Sequence, residues 1–155
     1  MQPLDLAIQK VWRIKLSIWA GLLGLGAVSW EVWHLFDVAR WWPAGTLAGT
    51  VVLVGTLLLV YLPRRRYRSW RYTLGAEELY LERGVLNRVR TIVPLRRVQH
   101  LDVSQDLVER EFDLGKLIVH TAGTRSSEVV LPGLRLAEAE RLRDEIRRYV
   151  LAETP

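Results

Sequence analysis

The sequence predicts a membrane-anchored α+β protein: a two-helix transmembrane hairpin followed by an antiparallel β-barrel or sandwich with a C-terminal amphipathic helix. Three observations carry this expectation. Two long apolar runs, Leu16 to Phe36 and Ala44 to Leu62, lie near the N-terminus. After Pro63 the pattern changes to a period of two, as in half-buried strands. From Ala139 onward the apolar period becomes that of a helix.

The first run is 21 residues, roughly 31 Å as a helix, which is about one hydrocarbon thickness. The second is 19 residues without a charge, roughly 28 Å by the same rise. Lipid offers the backbone no hydrogen-bond partner, so uncharged runs of this length cross as helices. A signal peptide is the alternative for the first run. No small-residue cleavage site followed by a polar mature chain stands after it, and a second run follows within ten residues. Lys10, Arg13 and Lys15 precede the first run, and Arg64, Arg65, Arg66, Arg68 and Arg71 follow the second. The connecting turn, Asp37 to Pro43, has Arg40 as its single basic residue, with the acidic Asp37 beside it. The positive-inside rule then puts both termini and the following domain in the cytoplasm, in a multi-pass protein of the inner (plasma) membrane. Trp30, Trp33, Trp41 and Trp42 gather at the outer turn, and Trp12 and Tyr61 near the inner face, where amphipathic rings prefer to sit.

Polar and small residues inside the runs need their own reading. Glu31 and His34 are one helical turn apart. An intramembrane carboxylate suggests a proton or ligand site, but five residues from the span end it reads instead as interfacial, or the span stops at Trp30. Gly45 and Gly49 in the second run, with Ala20 and Gly24 in the first, are small residues at helix-packing spacing. They are expected to pack the hairpin on itself, with homo-oligomerisation as the second use.

The chain of 155 residues is half hydrophobic yet 25% charged, with a net charge of +5. Its pI near 10.0 invites a nucleic-acid reading, which the charge distribution excludes. Five arginines and no acid stand between Arg64 and Arg71, whereas Tyr72 to Pro155 carries 13 basic residues against 14 acidic ones. The basicity is a collar beside the membrane, suited to anionic headgroups, and the domain itself is nearly neutral. The absence of cysteine excludes disulfides and thiolate metal sites.

The organisation follows: residues 1–15 as a cytoplasmic N-terminal segment, 16–62 as the hairpin with spans at about 16–36 and 44–62, and 63–152 as the domain. Within the domain Trp70, Tyr72 and Leu74 share one face of a strand, as do Leu79 and Leu81, then Val85, Val89 and Val93. Leu101 and Val103 share a face with which Val98 is out of step, predicting a bulge near Gln99. Leu117 to Val119 and Val129 to Leu131 complete about six strands, punctuated by Gly75, Gly84, Pro94, Ala122-Gly123 and Pro132-Gly133. Ala139, Leu142, Ile146, Tyr149 and Val150 then form the apolar stripe of a helix of about four turns. A bent six- or seven-stranded sheet closed by a C-terminal helix is pleckstrin-homology (PH) architecture.

The segment from Arg96, RRVQHLDVSQDLVEREFDLGKLIVHTAG, resembles the core signature of the bacterial PH-domain membrane proteins, the YdbS-like family. The matching residues are Arg97, Val98, Gln99, Val103, Gln105, Arg110, Phe112, Leu114, Gly115 and Thr121-Ala122-Gly123. Asp113 stands where the family usually has glycine after the phenylalanine. Trp70 to Leu74, Glu78 to Gly84 and the two spans also fit, so the resemblance covers most of the chain. It implies a membrane-tethered PH module without accepted enzymatic activity, which self-associates or works beside a larger PH-domain membrane protein. The motif residues Arg97, Gln99, Gln105, Arg110, Phe112 and Gly115 are read as structural: the arginines pairing with Asp102, Glu109 or Glu111, Gln99 serving a bulge, and Gly115 holding a positive φ.

No motif of nucleotide, hydrolase or zinc-protease chemistry is present. His100, Asp102 and Ser104 alternate along one strand, which superficially suggests a triad, but triads are assembled from distant segments. His120 is expected to be exposed, and Glu109 and Glu111 to sit in an ordinary charged turn. No catalytic residue, metal ligand or cofactor site is assigned. The leading functional reading is a non-enzymatic adaptor or assembly module, with membrane lipids and a protein as partners and no nucleic acid, its contacts carried by edge strands or strand loops. The alternatives are anionic-lipid sensing through the arginine collar and membership of an oligomeric transport or export assembly. The usual phosphoinositide turn between the first two strands is here Leu74-Gly75-Ala76-Glu77-Glu78, which is acidic and unsuited to that ligand.

Overall fold

The computed structural model describes residues 2–35, 43–122 and 128–153. Most of the outer turn, with Arg40, Trp41 and Trp42, and Gly123 of the signature lie outside the described residues. The chain divides into two compact units. One comprises the chain up to Val11 together with the chain from Arg65 onward, and the other is Trp12–Arg64.

The hairpin unit is built on α1 (Ile8–Trp33) and α2 (Thr46–Ser69), both long and apolar enough to cross a membrane. Both helices outrun the apolar segments. α1 starts eight residues before Leu16 and stops three before Phe36. α2 starts two residues after Ala44 and passes through Pro63 and the arginines to Ser69, so Pro63 is no boundary. A proline removes one i to i−4 hydrogen bond, and the regular turns on either side keep the helix going. Charged residues propagate a helix as well as apolar ones do, so hydropathy locates the crossing and not the helix ends.

The other unit contains two three-stranded antiparallel sheets, in the orders β1-β2-β3 and β4-β5-β6. The strands are β1 (Arg71–Leu74), β2 (Glu78–Arg83), β3 (Val89–Pro94), β4 (Val98–Ser104), β5 (Leu114–Thr121) and β6 (Glu128–Arg135). A single 3-10 turn, Leu95–Arg97, joins the sheets, α3 (Leu107–Glu111) links β4 to β5, and α4 (Leu136–Glu153) ends the fold. This is the PH-like sandwich form; the barrel is not closed.

Alternation decides what is buried. Leu79 and Leu81 of β2, Val93 of β3, Leu117 and Val119 of β5 and Leu131 of β6 are almost solvent-free. Ala139 and Ile146 of α4 join them. The Val85–Val89–Val93 face does not hold as expected: Val85 lies in the β2–β3 turn, and it and Val89 are exposed. The bulge near Gln99 is present, as a register shift between Val98 and His100. A second shift lies between Gly115 and Leu117 opposite β6. There the Pro132-Gly133 pair lies inside β6 instead of ending a strand. Gly133 has φ +68, and a Cβ there would come within 2.7 Å of Ile8 Cγ1.

That contact reveals an element of the domain that hydropathy missed. The N-terminal segment is part of it. Gln2 exchanges main-chain hydrogen bonds with Tyr72, 2.7 and 3.1 Å, and the Asp5 N–H donates to the Gly133 carbonyl at 2.9 Å. The Arg135 Nε donates to Asp5 Oδ2 at 3.0 Å, while Asp5 Oδ1 accepts from the Ala7 N–H just before α1. Leu4, Ile8 and Val11 are buried.

Candidate functional site

The collar arginines occupy the end of α2. Arg64, Arg65, Arg66 and Arg68 are exposed on its last turns, and Arg71 opens β1 with its Nη1 donating to the Trp70 carbonyl. At 100° per residue these positions spread around the helix. They form a broad charged arc and not a converging headgroup pocket.

Of the signature residues, Gln105, Arg110, Phe112 and Gly115 lie in or beside α3, whereas Arg97 and Gln99 stand at the other end of β4. Asp106 caps this short helix, accepting from the N–H groups of Val108 and Glu109, while Glu109 Oε2 accepts from the Asp106 N–H at 3.0 Å. This reciprocal capping box satisfies donors that a helix start leaves open. The Asp-x-x-Glu spacing announces it, and the buried Glu109 is therefore a structural carboxylate and not an ordinary surface one. Gln105 Nε2 donates to the Leu114 carbonyl at 2.7 Å and ties the end of β4 to the start of β5. Phe112 ends α3, with Lys10 Nζ 6.0 Å from its ring centroid.

The positive φ expected at Gly115 is found two residues earlier, at Asp113 (φ 52). The helix terminates through a left-handed residue, whose N–H donates to the Arg110 carbonyl at 3.2 Å. Glycine suits this position best and aspartate is among the residues that tolerate it, which explains the departure noted in the signature. Gly115 lies buried in β5 at the register shift, with Gln105 Cγ 3.6 Å from where its Cβ would be. Among the described residues neither Arg97 nor Arg110 forms an ion pair with the expected carboxylates. Asp102 is engaged by histidines, and Glu109 by the capping box.

Sequence order separates the residues that meet at Asp102. Antiparallel register sets His100 directly opposite His120. His100 Nε2 lies 2.9 Å from Asp102 Oδ1 and His120 Nε2 lies 3.3 Å from Asp102 Oδ2, with the rings 5.9 Å apart. His120 is thus a partner of Asp102 and not a lone exposed residue. Both Nε2 atoms are turned to the carboxylate, and among the described residues no group of three or more His, Asp or Glu is arranged to hold a metal ion. Ser104 stands opposite Lys116, outside this group.

Tyr72 ties the first sheet to the C-terminal helix. Its hydroxyl donates to Glu138 Oε1 of α4 at 2.8 Å. Burial first, and then this hydrogen bond and the carboxylate charge, push the phenol pKa well above its ordinary value.

Within the hairpin unit the close approach is Ala20 to Gly55, where a glycine Cβ would lie 3.6 Å from Ala20 Cβ. A Cβ at Gly24, Gly45 or Gly49 would meet nothing within 4 Å, so those three glycines do not make the tight contact. Gly45 has φ +88 at the entry to α2. Glu31 is buried and its Oε1 accepts from the Leu47 N–H at 2.8 Å. It satisfies a first-turn donor of α2 at the positive end of the helix dipole, a role its place in the sequence does not reveal.

Three comparisons bear on these features. The bacterial PH domain family matches residues 16–150. The chain is 34% identical over 140 residues to the UPF0699 transmembrane protein YdbS of Bacillus subtilis (strain 168), covering 90% of this chain and 86% of that protein. It is 29% identical over 82 residues to the UPF0699 transmembrane protein YdbT of the same strain, covering 52% of this chain and 17% of that larger one. No solved structure matches.

Proposed function

This chain belongs to the bacterial PH-domain family of membrane proteins, and from that premise we propose that it is a non-enzymatic adaptor: a PH module fixed at the inner face of the cytoplasmic membrane that assembles other proteins there. One observation carries the topology. The segment before the first helix and the chain after the second build one folded unit, through the Gln2–Tyr72 bridge and the packing of Ile8 on Gly133. Two chain segments that share a core lie on one side of a membrane, which requires an even number of crossings between them. Lys10, Arg13, Lys15 and the collar support the cytoplasm as that side, by the positive-inside rule. A covalent anchor supplies the membrane location that a lipid-binding PH domain must recognise, which leaves the domain surface for protein contacts. The match to part of the larger YdbT supports a larger PH-domain membrane protein as the partner, with self-association as the other mode.

The native chain has no cysteine, so topology is tested by single substitutions. In intact cells an impermeant maleimide should label Ala39→Cys and leave Asn87→Cys unlabelled until the membrane is opened. Labelling of Asn87→Cys from outside overturns the orientation. The adaptor role is tested by in-cell crosslinking from positions across the domain, which should capture protein. A domain that captures lipid alone favours the second reading, lipid sensing by the collar. That reading is supported by the exposed arc of Arg64, Arg65, Arg66 and Arg68, worth roughly 1 kcal/mol per arginine at an anionic surface. Replacing these four with Gln should then release the domain's lipid crosslinks.

A further inference from the structure

We propose that the groove between β4 and α4 binds an extended, acidic segment of a partner protein, which adds to β4 as a fourth strand. This deepens the adaptor reading and rests on it.

Unpaired strand edges are open templates for another strand, and proteins usually blunt them. Two three-stranded sheets have four edges; two are covered by the N-terminal segment and a third is blunted by its side chains. At β1, Gln2 takes both main-chain groups of Tyr72. At β6, Pro132 interrupts the strand and Asp5 donates to the Gly133 carbonyl. At β3, Arg90 stands in the strand and Pro94 ends it without an N–H. Among the described residues β4 pairs with β5 on one side only. Its bulged residue, Gln99, has no register partner on β5 and is exposed.

Beside this edge lies a groove of about 610 Å³, within the range of roughly 300–1,000 Å³ usual for binding clefts. Val98, Gln99 and His100 of β4 form one wall, and Arg143, Arg147 and Val150 of α4 the other. Positions 143, 147 and 150 are successive turns of one helix face. The cleft is therefore a strand edge facing a helix, the geometry that accepts an extended chain: main-chain hydrogen bonds to the strand, and alternate side chains toward the helix.

Charge selects the occupant. No carboxylate is among the residues lining the groove. Arg143 is held by Asp144 at 2.9 Å, but Arg147 makes no ion pair among the described residues. Pairing two β4 edges from two copies would set Arg143 and Arg147 against themselves, and pairing β4 with a β3 edge would add Arg90. Like charges at close range oppose both arrangements. An acidic strand meets the arginines with opposite charge.

The test uses the full-length protein in its native membrane, with a photo-crosslinking residue at Gln99, at Leu151 in the groove, or at Leu86 on the distant β2–β3 turn. The Gln99 and Leu151 probes should capture another protein through one acidic, non-helical segment, mapped by mass spectrometry. Arg143→Glu/Arg147→Glu should lower that yield about tenfold or more, and Arg143→Lys/Arg147→Lys should keep most of it. If the double reversal does not fold, Arg147→Glu alone, at an exposed position, should still give a loss. Capture of a second copy, of lipid, or of a basic or helical segment overturns the proposal, as does a yield indifferent to the reversals. Protein capture at Leu86 with none in the groove overturns the groove alone and leaves the adaptor reading intact; no protein capture anywhere overturns both.

Discussion

The hairpin and the sandwich are made of similar side chains arranged in opposite ways. In the hairpin unit the large apolar residues point outward: Leu25 is 68% exposed and Leu23 66%. In the sandwich Leu117 and Leu131 are 0% exposed, and charged residues face outward. Each unit hides from a different solvent. The sandwich excludes water from its interior, so its stability comes from apolar area removed from water. The helices of the hairpin satisfy their own backbones and leave their apolar surface for lipid. The contrast also separates two kinds of carboxylate. Glu31 is buried against the start of α2 and Glu109 against the start of α3, and in both units burial is tolerated because helix N–H groups receive the oxygen.

The largest expected break of this contrast is in the core. Leu131→Ala should destabilise the sandwich by about 2–5 kcal/mol through the cavity it leaves, while the same change at Leu25 should leave the sandwich's unfolding midpoint unmoved. Denaturant unfolding of the full chain in detergent, followed by tryptophan fluorescence and domain proteolysis, compares them. Equal effects would mean that the exposed leucine is packed after all.

The next probes the place where the N-terminal segment enters the sandwich. Gly133→Ala puts a methyl against Ile8 and requires a positive φ, and should cost about 1–3 kcal/mol. Protease should then cut near residues 2–7 at concentrations that spare the native chain. Unchanged protection would show that this segment does not depend on Gly133.

Tyr72→Phe should cost about 1 kcal/mol at neutral pH by removing the hydrogen bond to Glu138. Because the folded phenol titrates above its unfolded value of about 10, the native Tyr72 contributes fully below pH 10. That contribution is lost as pH rises through the higher folded value. Stability measured from pH 7 to 11 should therefore fall more steeply in the native protein than in the variant. Parallel profiles would remove Tyr72 as the source.

The smallest effect belongs to Asp113. Asp113→Gly should change stability by no more than about 0.5 kcal/mol, since relief of the left-handed backbone is offset by greater freedom of the unfolded chain, whereas Asp113→Ala should cost about 1 kcal/mol. Thermal midpoints order the three. A more stable alanine variant would contradict the cap.

The sequence alone determined whatever depends on neighbours along the chain. Two spans followed from uninterrupted hydropathy, six strands from alternation, α4 from its helical period, and the family from a contiguous signature. The exceptions near the chain's local signals are instructive: helix continuation through Pro63, the left-handed residue at Asp113 instead of Gly115, and Pro132-Gly133 inside β6. At each, the local preference was weaker than the hydrogen bonds and packing around it. Tertiary structure alone decided the contacts that cross the chain. It brought Gln2 to Tyr72 and Ile8 to Gly133, set His120 on Asp102 through strand register, placed Glu31 at the head of α2, and set the edge strand β4 beside α4. These depend on which surfaces meet after folding. Alternation says which face of a strand is buried, but it does not say which distant residue stands opposite.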